Sequence, residues 1–160
     1  MLLSIIHGIY PTTNGENIVA PEVHLSAQNR ADLLVRMYTY PAGGGKPTRK
    51  PVLLYEGKGS AGDSWERLES QLFTYLDKTA GFIANGKRCW ALGGRGSEMK
   101  LWRFRKGNSE EQKLLPWAVE GGQAVEKQRR NAPPPYSVAT NYDYVKILMD
   151  YVAAHPDPDN

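Results

Sequence analysis

Residues Pro51-Val-Leu-Leu-Tyr-Glu form a nearly all-apolar run that ends on Glu56-Gly57-Lys58, two opposite charges two residues apart. A short run of Val, Leu and Tyr bounded by turn residues predicts a buried strand. A carboxylate at the end of a buried strand needs a compensating partner. Upstream, Ala31-Asp-Leu-Leu-Val-Arg-Met-Tyr-Thr-Tyr has the same strand-forming character and stops at Pro41-Ala-Gly-Gly-Gly. Two such runs joined by a Gly/Pro/Lys loop predict a hairpin, and strand pairing can then bring Asp32 beside Glu56.

After Gly59-Ser60-Ala61-Gly62 the spacing turns helical, with Trp65, Leu68, Leu72, Tyr75 and Leu76 on one face. Ser64 can cap this helix, and Arg67 stands where a capping box would have Glu. Arg88 to Leu92 and Met99 to Phe104 read as two strands around a hairpin turn at Gly93-Gly94-Arg95-Gly96. The apolar opening reads as a short helix or strand ending near Tyr10, and Asn17 to His24 reads as a strand broken by Pro21. Residues 107 to 136 are polar and turn-rich. An amphipathic helix is predicted from Asn141, a good N-cap, followed by a frayed Pro-Asp-Pro-Asp-Asn tail. This order of elements predicts an α/β or α+β sandwich with a central mixed β-sheet flanked by helices.

A chain of 160 residues supports a core for one domain, and 41% hydrophobic with 23% charged residues is an ordinary globular composition. Twenty basic against seventeen acidic residues leave a formal charge of +3, too small to argue for nucleic acid unaided. Basic residues do recur at Arg88, Arg95, Lys100, Arg103, Arg105 and Lys106, and again at Lys127, Arg129 and Arg130. Trp90, Trp102 and Phe104 with interleaved Arg103 and Arg105 resemble a stacking and phosphate surface, while strand alternation also gives an aromatic core face with a basic solvent face, which is the preferred reading. One cysteine, Cys89, excludes an intrachain disulfide and a multi-cysteine zinc site, and points to an intracellular, cytoplasmic or nuclear, setting. No window approaches the roughly 18 apolar residues of a membrane span. His7, His24 and His155 have no metal-ligand spacing.

Asp32, Glu56 and Lys58 suit one chemistry. Hydrolysis of a phosphodiester needs a carboxylate-held Mg²⁺ or Mn²⁺ to polarise the phosphate and a cation to offset the developing charge. Magnesium takes only one or two protein carboxylates. Glu56 and Lys58 share a strand face, and Gly57 and Gly59 leave the backbone open to a bulky polyanion. The plainer alternative is a surface ion pair, with Asp32 capping a turn.

With Arg30-Ala31-Asp32-Leu33-Leu34-Val35 for an acidic strand, Val52 to Lys58 for an E-x-K strand and Gln71-Leu72-Phe73-Thr74-Tyr75 on the next helix, the chain resembles the PD-(D/E)XK nuclease superfamily. That resemblance implies a restriction-endonuclease-like core in the order helix, strand, strand, helix, strand. It spans about residues 1 to 106 of a single nuclease-like domain, with 107 to 160 as a C-terminal extension. It implies metal on Asp32 and Glu56, a catalytic Lys58, and Gln71 and Tyr75 as supporting residues or nucleic-acid contacts. The substrate it implies is nucleic acid, DNA first. Many members add a glutamate from the first helix, whereas residues 1 to 15 hold no carboxylate. Glu22 is better placed than Glu16 to take that part. The resemblance also admits a catalytically inactive module of the same fold that binds nucleic acid or protein.

Overall fold

The computed structural model describes residues 2–12, 16–24 and 30–159. Helix α1 (Leu2–Ile9) leads to strands β1 (Asn17–His24), β2 (Arg30–Thr39) and β3 (Thr48–Lys58), and helix α2 (Trp65–Lys78) follows. Strands β4 (Arg88–Arg95) and β5 (Glu98–Arg105), a short helix α3 (Glu110–Lys113), and strands β6 (Leu114–Glu120) and β7 (Gln123–Glu126) come next. A 3₁₀ turn at Arg129–Asn131, the short β8 (Tyr136–Ser137) and helix α4 (Tyr142–Ala154) complete the chain. The strands form one mixed sheet in the order β1-β2-β3-β4-β5-β6-β7, with β8 pairing onto β5. Every neighbouring pair is antiparallel except β3 and β4, which run parallel with α2 as their crossover. A parallel pair requires such a crossover, and a helix supplies it. The fold is therefore α/β with a mixed central sheet, as its order of elements predicts.

Strand alternation divides the core. Leu33, Val35, Leu53, Trp90, Leu92 and Leu101 face one way and pack with Ile6 of α1 and Val145, Leu148 and Val152 of α4. Leu34, Leu54, Ala91, Trp102 and Phe104 face the other way, under Leu68, Leu72 and Leu76 of α2. Fully burying each large apolar side chain contributes about 1.5–3 kcal/mol, so both helical layers anchor the sheet. Among the described residues no helix is long and apolar enough to cross a membrane.

Several local expectations change. Pro21 does not break β1, because β1 is an edge strand and Pro is tolerated there. Strand β4 continues through Gly93 and Gly94 to Arg95, so the hairpin turn falls at Gly96, whose φ of 59° lies in the left-handed region. Residues 107–136 carry α3, β6, β7 and part of β8. Asn141 precedes α4, but its Oδ1 accepts from the Ser137 N–H, and its side chain does not cap the helix. Ser64 does cap α2, accepting from the Arg67 N–H.

The tail is held at several points. Pro156 O accepts from the Tyr10 hydroxyl at 3.0 Å, and Asp159 accepts from the Arg88 N–H at 2.8 Å. Lys50 reaches both Asp157 and Asp159. Arg103 lies against Trp90 and Trp117 and is paired with Glu126, so the basic side of β5 is an ion-paired layer and not a free solvent face.

Candidate active site

The hairpin of β2 and β3 builds the site. Its register, Leu33 opposite Tyr55 and Leu34 opposite Leu54, carries Asp32 to the step opposite Glu56. Both then lie on the face that α2 covers, because Leu34 and Leu54 pack under that helix and a strand repeats every two residues. On the other side of β3 the parallel register sets Glu56 beside Gly93 and Lys58 beside Arg95. The site thus sits where β3 and β4 end and β2 begins.

Glu56 is 2% exposed. Its Oε1 accepts from Lys58 Nζ at 2.6 Å, while its Oε2 is buried without a hydrogen-bond partner. Burial pushes the Glu56 carboxyl above its ordinary value, the hydrogen bond from Lys58 pulls it back in part, and the charge of Asp32 pushes it up further. Hydrogen bonding to Glu56 raises the Lys58 ammonium above the usual lysine value, so Lys58 is a fixed cation at neutral pH. Asp32 is solvent-exposed, and its Oδ2 accepts from the Gly57 N–H at 2.7 Å.

Tyr75 joins this group from α2. Its hydroxyl is raised by burial and next by the charge of Glu56, with Lys58 and Asp32 also acting on it. Asp32, Glu56, Lys58 and Tyr75 are therefore brought together. Gln71 lies one helical turn before Tyr75 with its Oε1 buried and unpartnered, and among the described residues no hydrogen bond joins it to the other four. Glu22 is placed by its backbone alone, its side chain lying outside what is described. It stands on β1 between the pairs Pro21–Leu33 and Val23–Ala31, the register step that brackets Asp32.

Tyr55 is a residue the sequence reading passed over. Its hydroxyl rises above the ordinary phenol value through burial and then through the charges of Asp32 and Glu56. A Cβ added at Gly57 would lie 2.5 Å from that hydroxyl oxygen, so Gly57 is small because Tyr55 occupies the space. The available signal was the two-residue spacing of Tyr55 and Gly57, which puts both on one strand face.

Among the described residues no group of three or more His, Cys, Asp and Glu side chains is arranged to hold a metal ion. Two carboxylates suffice for a magnesium that keeps most of its waters, and a buried carboxylate oxygen with no donor suits such an ion. Comparison with protein-family models, with curated proteins and with solved structures returns no match.

Proposed function

We propose that the protein is a metal-dependent nuclease that hydrolyses phosphodiester bonds in nucleic acid, with DNA as the first substrate to test. The observation that carries this reading is Glu56: a buried carboxylate with one oxygen held by Lys58, the other unpartnered, and Asp32 one strand away. A purely structural ion pair leaves that orphan oxygen unexplained, since a buried unsatisfied acceptor costs about 1–3 kcal/mol.

In this reading Asp32 and Glu56 hold Mg²⁺ or Mn²⁺, which when bound polarises the phosphate and activates water. Lys58, protonated throughout the neutral range, offsets negative charge on the phosphate and cannot serve as the general base. Tyr75 stands on the same face as Glu56, where its hydroxyl can orient water or a phosphate oxygen, and Tyr55 lies on the opposite face against Gly57. The order α1, β2, β3, α2, β4 supports the finer fold reading, a restriction-endonuclease-like core with β1 as an added edge strand. Fully buried Cys89 accords with an intracellular setting.

The test is degradation of a labelled oligonucleotide in Mg²⁺ or Mn²⁺ by the wild type, Glu56→Gln and Lys58→Ala. Cleavage that EDTA and both substitutions abolish supports the nuclease. Salt-sensitive binding with no cleavage in either metal would leave a non-catalytic nucleic-acid-binding module of the same fold.

A further inference from the structure

The α2-covered face of the sheet continues past the helix, and there it changes character. Leu34 and Leu54 lie under α2, whereas Val35 and Met37 point to the opposite layer. Alternation therefore returns Arg36 and Tyr38 to the α2 side. The pairing skips Val52, so that Arg36 opposes Pro51 and Tyr38 opposes Arg49. Arg36 and Arg49 become diagonal neighbours on one face, a separation of about 7–8 Å between backbones. Burial first, and the charge of Arg49 next, hold the Arg36 guanidinium below its ordinary value. Two like charges set side by side on one strand face attract an anion.

Apolar and aromatic surface flanks this pair. Ile18 of β1 is in register with Arg36 and is 44% exposed. Tyr38 acts electrostatically on Arg36, and Tyr40, two residues on, is 60% exposed. The strip lies on the same face as Asp32, and four residues of strand put Arg36 about 13 Å from it.

Resting on the nuclease reading, we propose that this strip of Ile18, Arg36, Tyr38 and Arg49 is the track on which a single strand of nucleic acid lies as it leads to Asp32 and Glu56. Arg36 and Arg49 take adjacent backbone phosphates, and bases lie over the tyrosine and isoleucine surface. A duplex keeps its base faces stacked inside and cannot use that surface, so the track selects a single strand.

Fluorescence anisotropy with a labelled oligothymidylate and a duplex of equal length, in EDTA across a salt series, tests this. The wild type should prefer the single strand. Arg36→Gln/Arg49→Gln should weaken binding and reduce the slope of log K against log salt by about 1.4, with Arg49→Gln alone reducing it by about 0.7 and the double lysine variant keeping it. An unchanged slope in the double glutamine variant, tighter binding of the duplex, or no binding by the wild type overturns the track. Cleavage by the wild type in Mn²⁺, measured in parallel, separates the two readings. Cleavage with an unchanged slope removes the track and leaves the nuclease, whereas binding through both arginines without cleavage does the reverse.

Discussion

Asp32 Oδ2 accepts a 2.7 Å hydrogen bond from the backbone N–H of Gly57, the residue between Glu56 and Lys58. One carboxylate of the proposed metal pair is thus tied to the strand that carries the other. The tie leaves the second oxygen of Asp32 free for an ion, and it fixes the spacing of the two acids without a helix between them.

Asp32→Asn keeps an acceptor for Gly57, so its stability should stay within about 0.5 kcal/mol of the wild type. Asp32→Ala loses the bond at an exposed position and should cost about 0.5–1 kcal/mol. Both should lose cleavage by on the order of 100-fold, because both remove the charge. Urea denaturation and oligonucleotide turnover read the two effects separately. An active Asp32→Ala would remove Asp32 from the site.

Glu56→Gln should do the opposite to stability. It removes a desolvated negative charge, and Lys58, whose side chain is 24% exposed, can turn to water. Stability should rise by about 1 kcal/mol, or roughly 2–4 °C in Tm, while cleavage disappears. A lower Tm in Glu56→Gln would make the Glu56–Lys58 pair a structural element.

The raised Glu56 carboxyl also sets a pH dependence. Its folded value lies above its unfolded one, so its contribution to stability is present at acid pH and is lost as pH rises through the folded value. Metal holding needs the ionised form, so cleavage should rise with pH along an acid limb centred above the usual glutamate range. Excess Mn²⁺ should move that limb to lower pH by competing with the proton. Lys58 is raised as well, so no alkaline loss is expected until beyond the ordinary lysine value. A pH–rate profile at two Mn²⁺ concentrations checks this, and a limb indifferent to metal would count against Glu56 as a ligand.

The β2–β3 hairpin was legible because two apolar runs flank an unmistakable Gly/Pro loop, and α2 because its apolar spacing is regular. That Asp32 falls opposite Glu56 was legible only as an option. Register depends on the skipped residue Val52, opposite the step from Val35 to Arg36, and no local pattern announces a bulge. The same bulge turns Arg36 and Arg49 onto one face. Strand β6 went unread because Leu114-Leu-Pro-Trp-Ala-Val is a brief apolar run in polar surroundings. The order of the tail is not legible in sequence because its partners Tyr10, Lys50 and Arg88 lie 70 to 146 residues away. Contacts at that separation leave no mark in neighbouring residues.

Gly93 tests whether α2 must sit close to the sheet for the site to work. It pairs with Glu56, and a Cβ built on it would lie 2.6 Å from Leu68 Cδ2, 3.0 Å from Trp102 and 3.2 Å from Trp65. Leu68 and Trp65 belong to the first turn of α2, so Gly93→Ala must push that end of the helix outward or force Leu68 from its rotamer. Overpacking of this kind costs about 1–3 kcal/mol, which is several degrees of Tm in a domain of this size. The helix also carries Tyr75 to the carboxylates, so cleavage measured well below the variant's Tm should fall by more than the lost folded fraction accounts for. Leu68→Ala/Gly93→Ala relieves the clash and should recover part of the activity despite its smaller core. Full activity in a destabilised Gly93→Ala would mean that the site does not depend on the close seating of the first turn of α2.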